Sequence, residues 1–181
     1  MTEKQKANDF EWVPGYAECV GHAANSWAHV EYYINSSIWR LAGVSPAPGA
    51  CMTAQIVSLF GRLSALLALL KLRRADQKLI DMVNKFAESS RGPNELRNRI
   101  VHDIWLIDNM NAAHMGQLKI TAAKKLEFSV QTVPLAELKA DLGKIAVCRE
   151  QASAIAAAIE AAMPTLPKIS LQELAPVVET H

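Results

Sequence analysis

An apolar stripe near the amino end of the chain limits what it can fold into. Between residues 16 and 41, apolar side chains return at alternating steps of three and four residues, the spacing of one face of an α-helix. A helix of that length spans roughly 40 Å. The stripe consists of Tyr16, Val20, Ala23, Trp27, Val30, Ile34, Ile38 and Leu41. Such a face has to be covered, so the sequence predicts a bundle of helices.

Four more helical patterns follow the first. A Leu-rich pattern predicts a central helix over residues 52–72, after a rigid turn over residues 45–49 that contains two prolines. Three further helices are predicted. The first covers residues 76–88, the second begins at Pro93 and fades at 106–109, and the third runs from Pro134 to about residue 163.

Between the fourth and fifth predicted helices, the repeat of the apolar residues changes from the helical spacing to every second residue. Leu118 and Ile120, and then Leu126, Phe128 and Val130, alternate with polar neighbours. This alternation predicts a β-hairpin at about 116–132, and a third strand over residues 105–107 is compatible with it. The predicted fold is therefore mainly α: a five-helix bundle with a short β-hairpin inserted before the last long helix. It occupies residues 14–163, between a flexible segment at 1–13 and a Pro-rich tail at 164–181.

Composition narrows the function classes. The 181 residues include 19 basic and 18 acidic side chains, for a net charge of +1, so no global basic footprint for nucleic acid exists. Three widely spaced cysteines indicate free thiols in a reducing cytoplasm. The polar first residues do not resemble a signal peptide, and the apolar run at 63–72 is too short for a bilayer. We therefore expect a cytoplasmic protein without a membrane partner.

The segment from Arg97 to His102 carries the most chemistry in the chain. Arg97 is followed directly by Asn98, and His102 lies five residues after the arginine on a predicted amphipathic helix. The planar fork of an arginine binds phosphate, and histidine exchanges protons near neutral pH. The helical period places Arg97 on the core face, where a charge needs a partner. Glu31, which interrupts the first apolar stripe, is the candidate partner in a purely structural role for Arg97.

Arg97 and His102 are separated by about 140° around the helix axis. One copy of the helix thus presents them awkwardly to a single small group. Two such helices that face each other across a two-fold axis resolve this problem, so the pattern favours a homodimer with a shared cleft.

These residues resemble the HEPN superfamily, in which an arginine, a polar residue and a histidine lie within four to six positions on a late helix of a small bundle. Arg97, Asn98 and His102 match this pattern, and the helical architecture of residues 14–163 matches the bundle. The resemblance implies a metal-independent endoribonuclease that acts as a homodimer on RNA, with no cofactor. Many members are toxins with a cognate antitoxin or parts of antiviral defence. Others are non-catalytic modules that bind a partner protein or a nucleotide, and this alternative stays open.

RNA cleavage without a metal needs a base, an acid and positive charge at the phosphate. His102 can serve as base or acid, one role from each protomer, and Arg97 can stabilise the charge on the phosphate oxygens. Asn98 can orient His102 or the phosphate, and Arg99 is a candidate contact to the RNA backbone. A metal site is not expected, because the cysteines are scattered and His22 and His29 lack companion ligands.

Overall fold

Six helices and a three-stranded sheet make up the fold in the computed structural model, which describes residues 12–107, 113–122 and 126–169. The elements are α1 (Tyr16–Ala42), α2 (Pro46–Thr53), α3 (Leu59–Leu72), α4 (Gln77–Ser89), α5 (Arg91–His102), β1 (Ile104–Ile107), β2 (Met115–Ala122), β3 (Leu126–Val133) and α6 (Leu135–Ala162). The mainly α prediction is confirmed, with one helix and one strand more than the bundle and hairpin predicted.

The predicted stripe of α1 forms the centre of the core. All its members except Val20 are buried, and α1 packs against both α6 and α3. Gly15 and Gly43 flank the helix with φ values of 90° and 71°, a left-handed conformation that favours glycine. The two long helices and the Leu-rich α3 thus provide the scaffold on which the other elements sit.

The prediction of a rigid turn at residues 45–49 is wrong. Residues 46–53 form α2, with Pro46 and Pro48 in its first turn, where a missing backbone N–H costs nothing. The helix predicted from residue 52 therefore begins later, at Leu59. Its N-cap is Ser58, whose hydroxyl accepts a hydrogen bond of 3.0 Å from the backbone N–H of Gly61.

The helix that carries Arg97 is shorter at its end than predicted. It begins at Arg91, separated from the end of α4 by Ser90 alone, and it stops at His102 instead of fading at 106–109. Asp103 has extended backbone angles (φ −72°, ψ 151°), and β1 begins at the next residue. The apolar run at 104–107 belongs to a strand, because short apolar runs fit either period.

The predicted hairpin is confirmed, and β1 adds the third strand. The strand order is β1-β2-β3, and both pairs are antiparallel. Ile104 lies opposite Leu118, which lies opposite Val130, so these three residues share one face of the sheet.

Two buried hydrogen bonds dock the sheet to the bundle. The Tyr16 hydroxyl donates to the Val133 carbonyl at 2.6 Å, and Trp105 Nε1 donates to the Ile100 carbonyl at 3.0 Å. The Tyr16 and Trp105 rings meet edge to face, with centroids 5.8 Å apart. The first bond joins α1 to β3, and the second holds β1 against the end of α5.

No helix in the described ranges is long and apolar enough to cross a membrane. Most of the predicted flexible segment at 1–13 and most of the predicted tail at 164–181 lie outside the described residues.

Candidate functional site

Arg97, Asn98 and His102 form one exposed hydrogen-bonded cluster. The Arg97 Nη1 atom lies 3.0 Å from Asn98 Oδ1 and 3.2 Å from His102 Nε2. One guanidinium nitrogen therefore contacts both of the other side chains. The three candidate catalytic residues of the sequence are brought together within a single chain.

This geometry corrects the expectation that one copy presents Arg97 and His102 awkwardly. Asn98 and His102 are four residues apart, so they lie on one ridge of α5. The long arginine side chain reaches around the helix from its own position to that ridge. The angular separation of the two positions therefore does not keep their functional groups apart, and it no longer argues for a second copy.

The sheet fixes the end of α5, and with it the place of His102. The last carbonyls of a helix have no partner within the helix. The Arg99 carbonyl accepts a bond of 2.8 Å from Gln117 Nε2, and the Ile100 carbonyl accepts the bond from Trp105. Side chains of β1 and β2 thus bond to two carbonyls at the end of the helix, and the Arg99 carbonyl also accepts from the Asp103 backbone N–H at 3.1 Å.

The contact with Arg97 involves the Nε2 atom of the His102 ring. An arginine only donates, so His102 Nε2 must accept the bond at 3.2 Å. While this contact is made, the Nε2 lone pair faces the guanidinium, so the ring can act as a base only after Arg97 has turned from Nε2 toward a bound anion.

Aromatic packing supports the arginine from behind. Its Cζ lies 6.0 Å from the centre of the Trp27 ring, and Trp27 is buried in α1. The buried Nε atom of Arg97 has no hydrogen-bond partner among the described residues. None of the ion pairs found within those residues involves Arg97, so its charge is not neutralised by a carboxylate there. The guanidinium keeps donors and charge for an anionic ligand.

Glu31 has a different partner from the one predicted. Its carboxylate pairs with Arg62 of α3, with 3.2 Å between Oε1 and Nη1, and the arginine side chain is only 11% exposed. The physical reason is that a buried charge on α3 requires a counter-charge, and Glu31 on the neighbouring α1 supplies it. Periodicity cannot reveal which of two arginines lies nearest.

Arg99 lies in a network between helix and sheet. Its Nη2 atom donates to Gln117 Oε1 at 3.0 Å, and its Nε atom is 3.9 Å from Asp103 Oδ2. These contacts make it a docking residue, while its predicted contact to RNA stays a prediction. The sequence analysis missed Gln117, which is 3% exposed; a glutamine at an alternating strand position between apolar residues was the available signal.

The described residues give this cluster no set of metal ligands, and the two cysteines whose pKa is raised lie elsewhere. Within the described residues, no group of three or more His, Cys, Asp or Glu side chains could hold a metal ion. Burial raises the pKa of Cys148 to about 11 and also raises the pKa of Cys19. Both thiols are buried in the core, on α6 and α1.

Comparison with known proteins adds no relative. No protein-family model matches the chain, and neither the curated proteins nor the solved structures contain a match. The functional argument therefore rests on the geometry of the cluster.

Proposed function

We propose that the protein is a metal-independent endoribonuclease of the HEPN type. The observation that carries the proposal is the contact between Arg97 Nη1 and His102 Nε2, with Asn98 on the same nitrogen. It joins a nitrogen that can accept a proton to a positive charge that pairs with no carboxylate of the described residues. These are two of the three groups that metal-free RNA cleavage needs.

The cluster supplies the first half of the reaction. His102 Nε2 takes the proton of a ribose 2′-hydroxyl, and the resulting oxygen attacks the adjacent phosphorus. The Arg97 guanidinium moves from Nε2 to the phosphate oxygens, where it stabilises the charge of the transition state. Asn98 keeps the guanidinium close to the histidine.

The second half requires a proton for the leaving 5′-oxygen. In the proposal, a protonated His102 from a second copy donates it, so that each copy contributes one role. The P–O5′ bond breaks as the O2′–P bond forms. The products are a 2′,3′-cyclic phosphate and a 5′-hydroxyl, and no metal or cofactor takes part.

The test is cleavage of end-labelled single-stranded RNA in excess chelator. We expect His102→Ala to lower the rate by about 100-fold or more, because a general base contributes about that much. Loss of the charge in Arg97→Ala should cost about 100- to 1,000-fold. His29→Ala, an exposed histidine on α1, is the matched control and should cleave as fast as the unmodified chain.

Product chemistry gives a second readout. RNA fragments should end in a 2′,3′-cyclic phosphate, and an oligonucleotide with a single 2′-deoxyribose should resist cleavage at that position. Cleavage by His102→Ala at the unmodified rate contradicts the proposal.

A non-catalytic binding module is the second candidate, and one observation favours it. Arg97 contacts the Nε2 atom that a general base has to keep free. A motif whose side chains bond to one another in this way does not offer a base to a substrate. In that case the chain binds an anionic partner through Arg97, no RNA is cut, and Arg97→Ala lowers binding while His102→Ala leaves it intact.

A further inference from the structure

The sheet has a face that the rest of the described chain does not cover. Its outer face, as defined here, carries six large apolar side chains that are 36–63% exposed: Ile104, Leu106, Ile120, Leu126, Phe128 and Val130. The strand register places them on one side, since Ile104 and Val130 align across Leu118, and Ile120 lies opposite Phe128. Together they form a continuous apolar surface.

The outer face of this sheet lacks the polar side chains that a solvated face normally carries. An antiparallel sheet with one solvated face normally turns its polar residues outward. Here Gln117 is buried on the inner face, where it bonds to Arg99, while Phe128 is 63% exposed on the outer face. Among the outer-face register positions of the three strands, Thr132 is the only polar residue. Such a face is what a sheet shows when another apolar surface covers it.

We propose that the outer face of the sheet is a homodimer interface, and that its occupant is the same face of a second copy of this chain. Two sheets that pack face to face lie about 10 Å apart, and their apolar side chains interdigitate. A face without charged groups complements a face of the same kind, which an isologous interface requires.

The apolar area of the outer face fits a second copy of this chain. Six apolar side chains that are about half exposed present roughly 500 Å² of apolar surface per copy. A standard interface buries about 800 Å² per partner, of which somewhat more than half is apolar. The net charge of +1 adds no significant repulsion between two copies.

The proposal rests on the sheet and not on the proposed cleavage of RNA. It locates the second copy on a surface that begins at Ile104, two residues after His102. Its test uses no RNA, so its failure and the failure of the ribonuclease proposal can be told apart.

The experiment is sedimentation equilibrium of the full chain over roughly 1–100 μM, which measures dissociation constants in the micromolar range. The unmodified protein should reach twice the mass of one chain. Phe128→Lys and Ile120→Lys should each raise the dimer dissociation constant at least about 30-fold, because a charge then lies in the centre of an apolar interface.

The matched control is Val147→Lys on α6, which changes an apolar residue that is 53% exposed away from the sheet. It should dimerise like the unmodified chain. All the substituted side chains are exposed, so circular dichroism should show the same helical content in each variant. One-chain mass for the unmodified protein across the series overturns the proposal, and so does dimerisation of Phe128→Lys with unchanged affinity.

Discussion

The three cysteines differ in what surrounds the sulfur atom. Cys51 is exposed on α2, while Cys19 and Cys148 are buried on α1 and α6. Burial disfavours the charged thiolate and raises the pKa of Cys148 to about 11. At pH 8, about one Cys148 side chain in a thousand is then a thiolate, which is the form that reacts.

We therefore expect one thiol of the folded protein to react with iodoacetamide at pH 8. Peptide mass mapping should find the label on Cys51, and labels on Cys19 and Cys148 should appear only after denaturation in urea. Because the raised pKa keeps the proton on Cys148, its labelling should increase as the pH rises toward 11. Labelling of Cys148 as fast as Cys51 at pH 8 would contradict this assignment.

The candidate site shows how far single positions can be predicted. The spacing of Arg97, Asn98 and His102 was sufficient to select them, because their chemistry depends on residue type. Their contact was not predicted, since a helical angle describes the Cα position and not the reach of a long side chain. The partner of Glu31 was not predicted either, because which arginine approaches α1 depends on how α3 packs.

At the scale of elements, α2 illustrates how one glycine can decide a helix contact. Gly49 is buried against the Trp39 ring of α1, and a Cβ atom built on it would lie 2.5 Å from Trp39 Cγ. Trp39 Nε1 in turn donates to Thr53 Oγ1 at 3.1 Å, at the end of α2. Gly49 and Thr53 of the short helix thus both contact the Trp39 side chain of α1.

Gly49→Ala should lower the free energy of unfolding by about 1–3 kcal/mol, because overpacking against Trp39 outweighs the gain in helix propensity. Gly21→Ala is the matched control: this residue is also helical, on α1, and a Cβ there meets nothing within 4 Å. It should raise the free energy of unfolding by about 0.5–1 kcal/mol. Urea denaturation of both variants measures these changes, and equal effects of the same sign would refute the packing argument.

The element boundaries that were mispredicted share a physical cause. Pro46 and Pro48 occur in turns and in the first turn of helices alike, so α2 was taken for a turn. The apolar run at 104–107 fits both periods, so the end of α5 was placed too late. The hairpin was predictable, because Leu118 and Ile120 in β2, and Leu126, Phe128 and Val130 in β3, alternate with polar neighbours.

At the scale of the whole molecule, a few contacts join the sheet to the bundle. The bond between the Tyr16 hydroxyl and the Val133 carbonyl connects residues 117 positions apart, and Tyr16 has no exposed surface. A buried carbonyl that loses its donor keeps the cost of its desolvation.

Tyr16→Phe should therefore lower the free energy of unfolding by about 1–2 kcal/mol. Hydrogen exchange of the β3 amides should accelerate more than exchange in the middle of α1, because the bond fastens the sheet. Tyr32→Phe is the matched control, since that ring is 57% exposed, and its effect should stay within about 0.5 kcal/mol. Equal losses in the two variants would show that the hydroxyl does not dock the sheet.

A single residue, Asp103, separates the last residue of α5 from the first residue of β1. Side chains alternate between the two faces of a strand, so the insertion of an odd or an even number of residues in this link has different effects on β1. One inserted residue would exchange the faces of β1, turning Trp105 outward and Ile104 inward. Two inserted residues would restore the alternation. Among homologous chains, changes in length between the histidine and the strand should therefore be even.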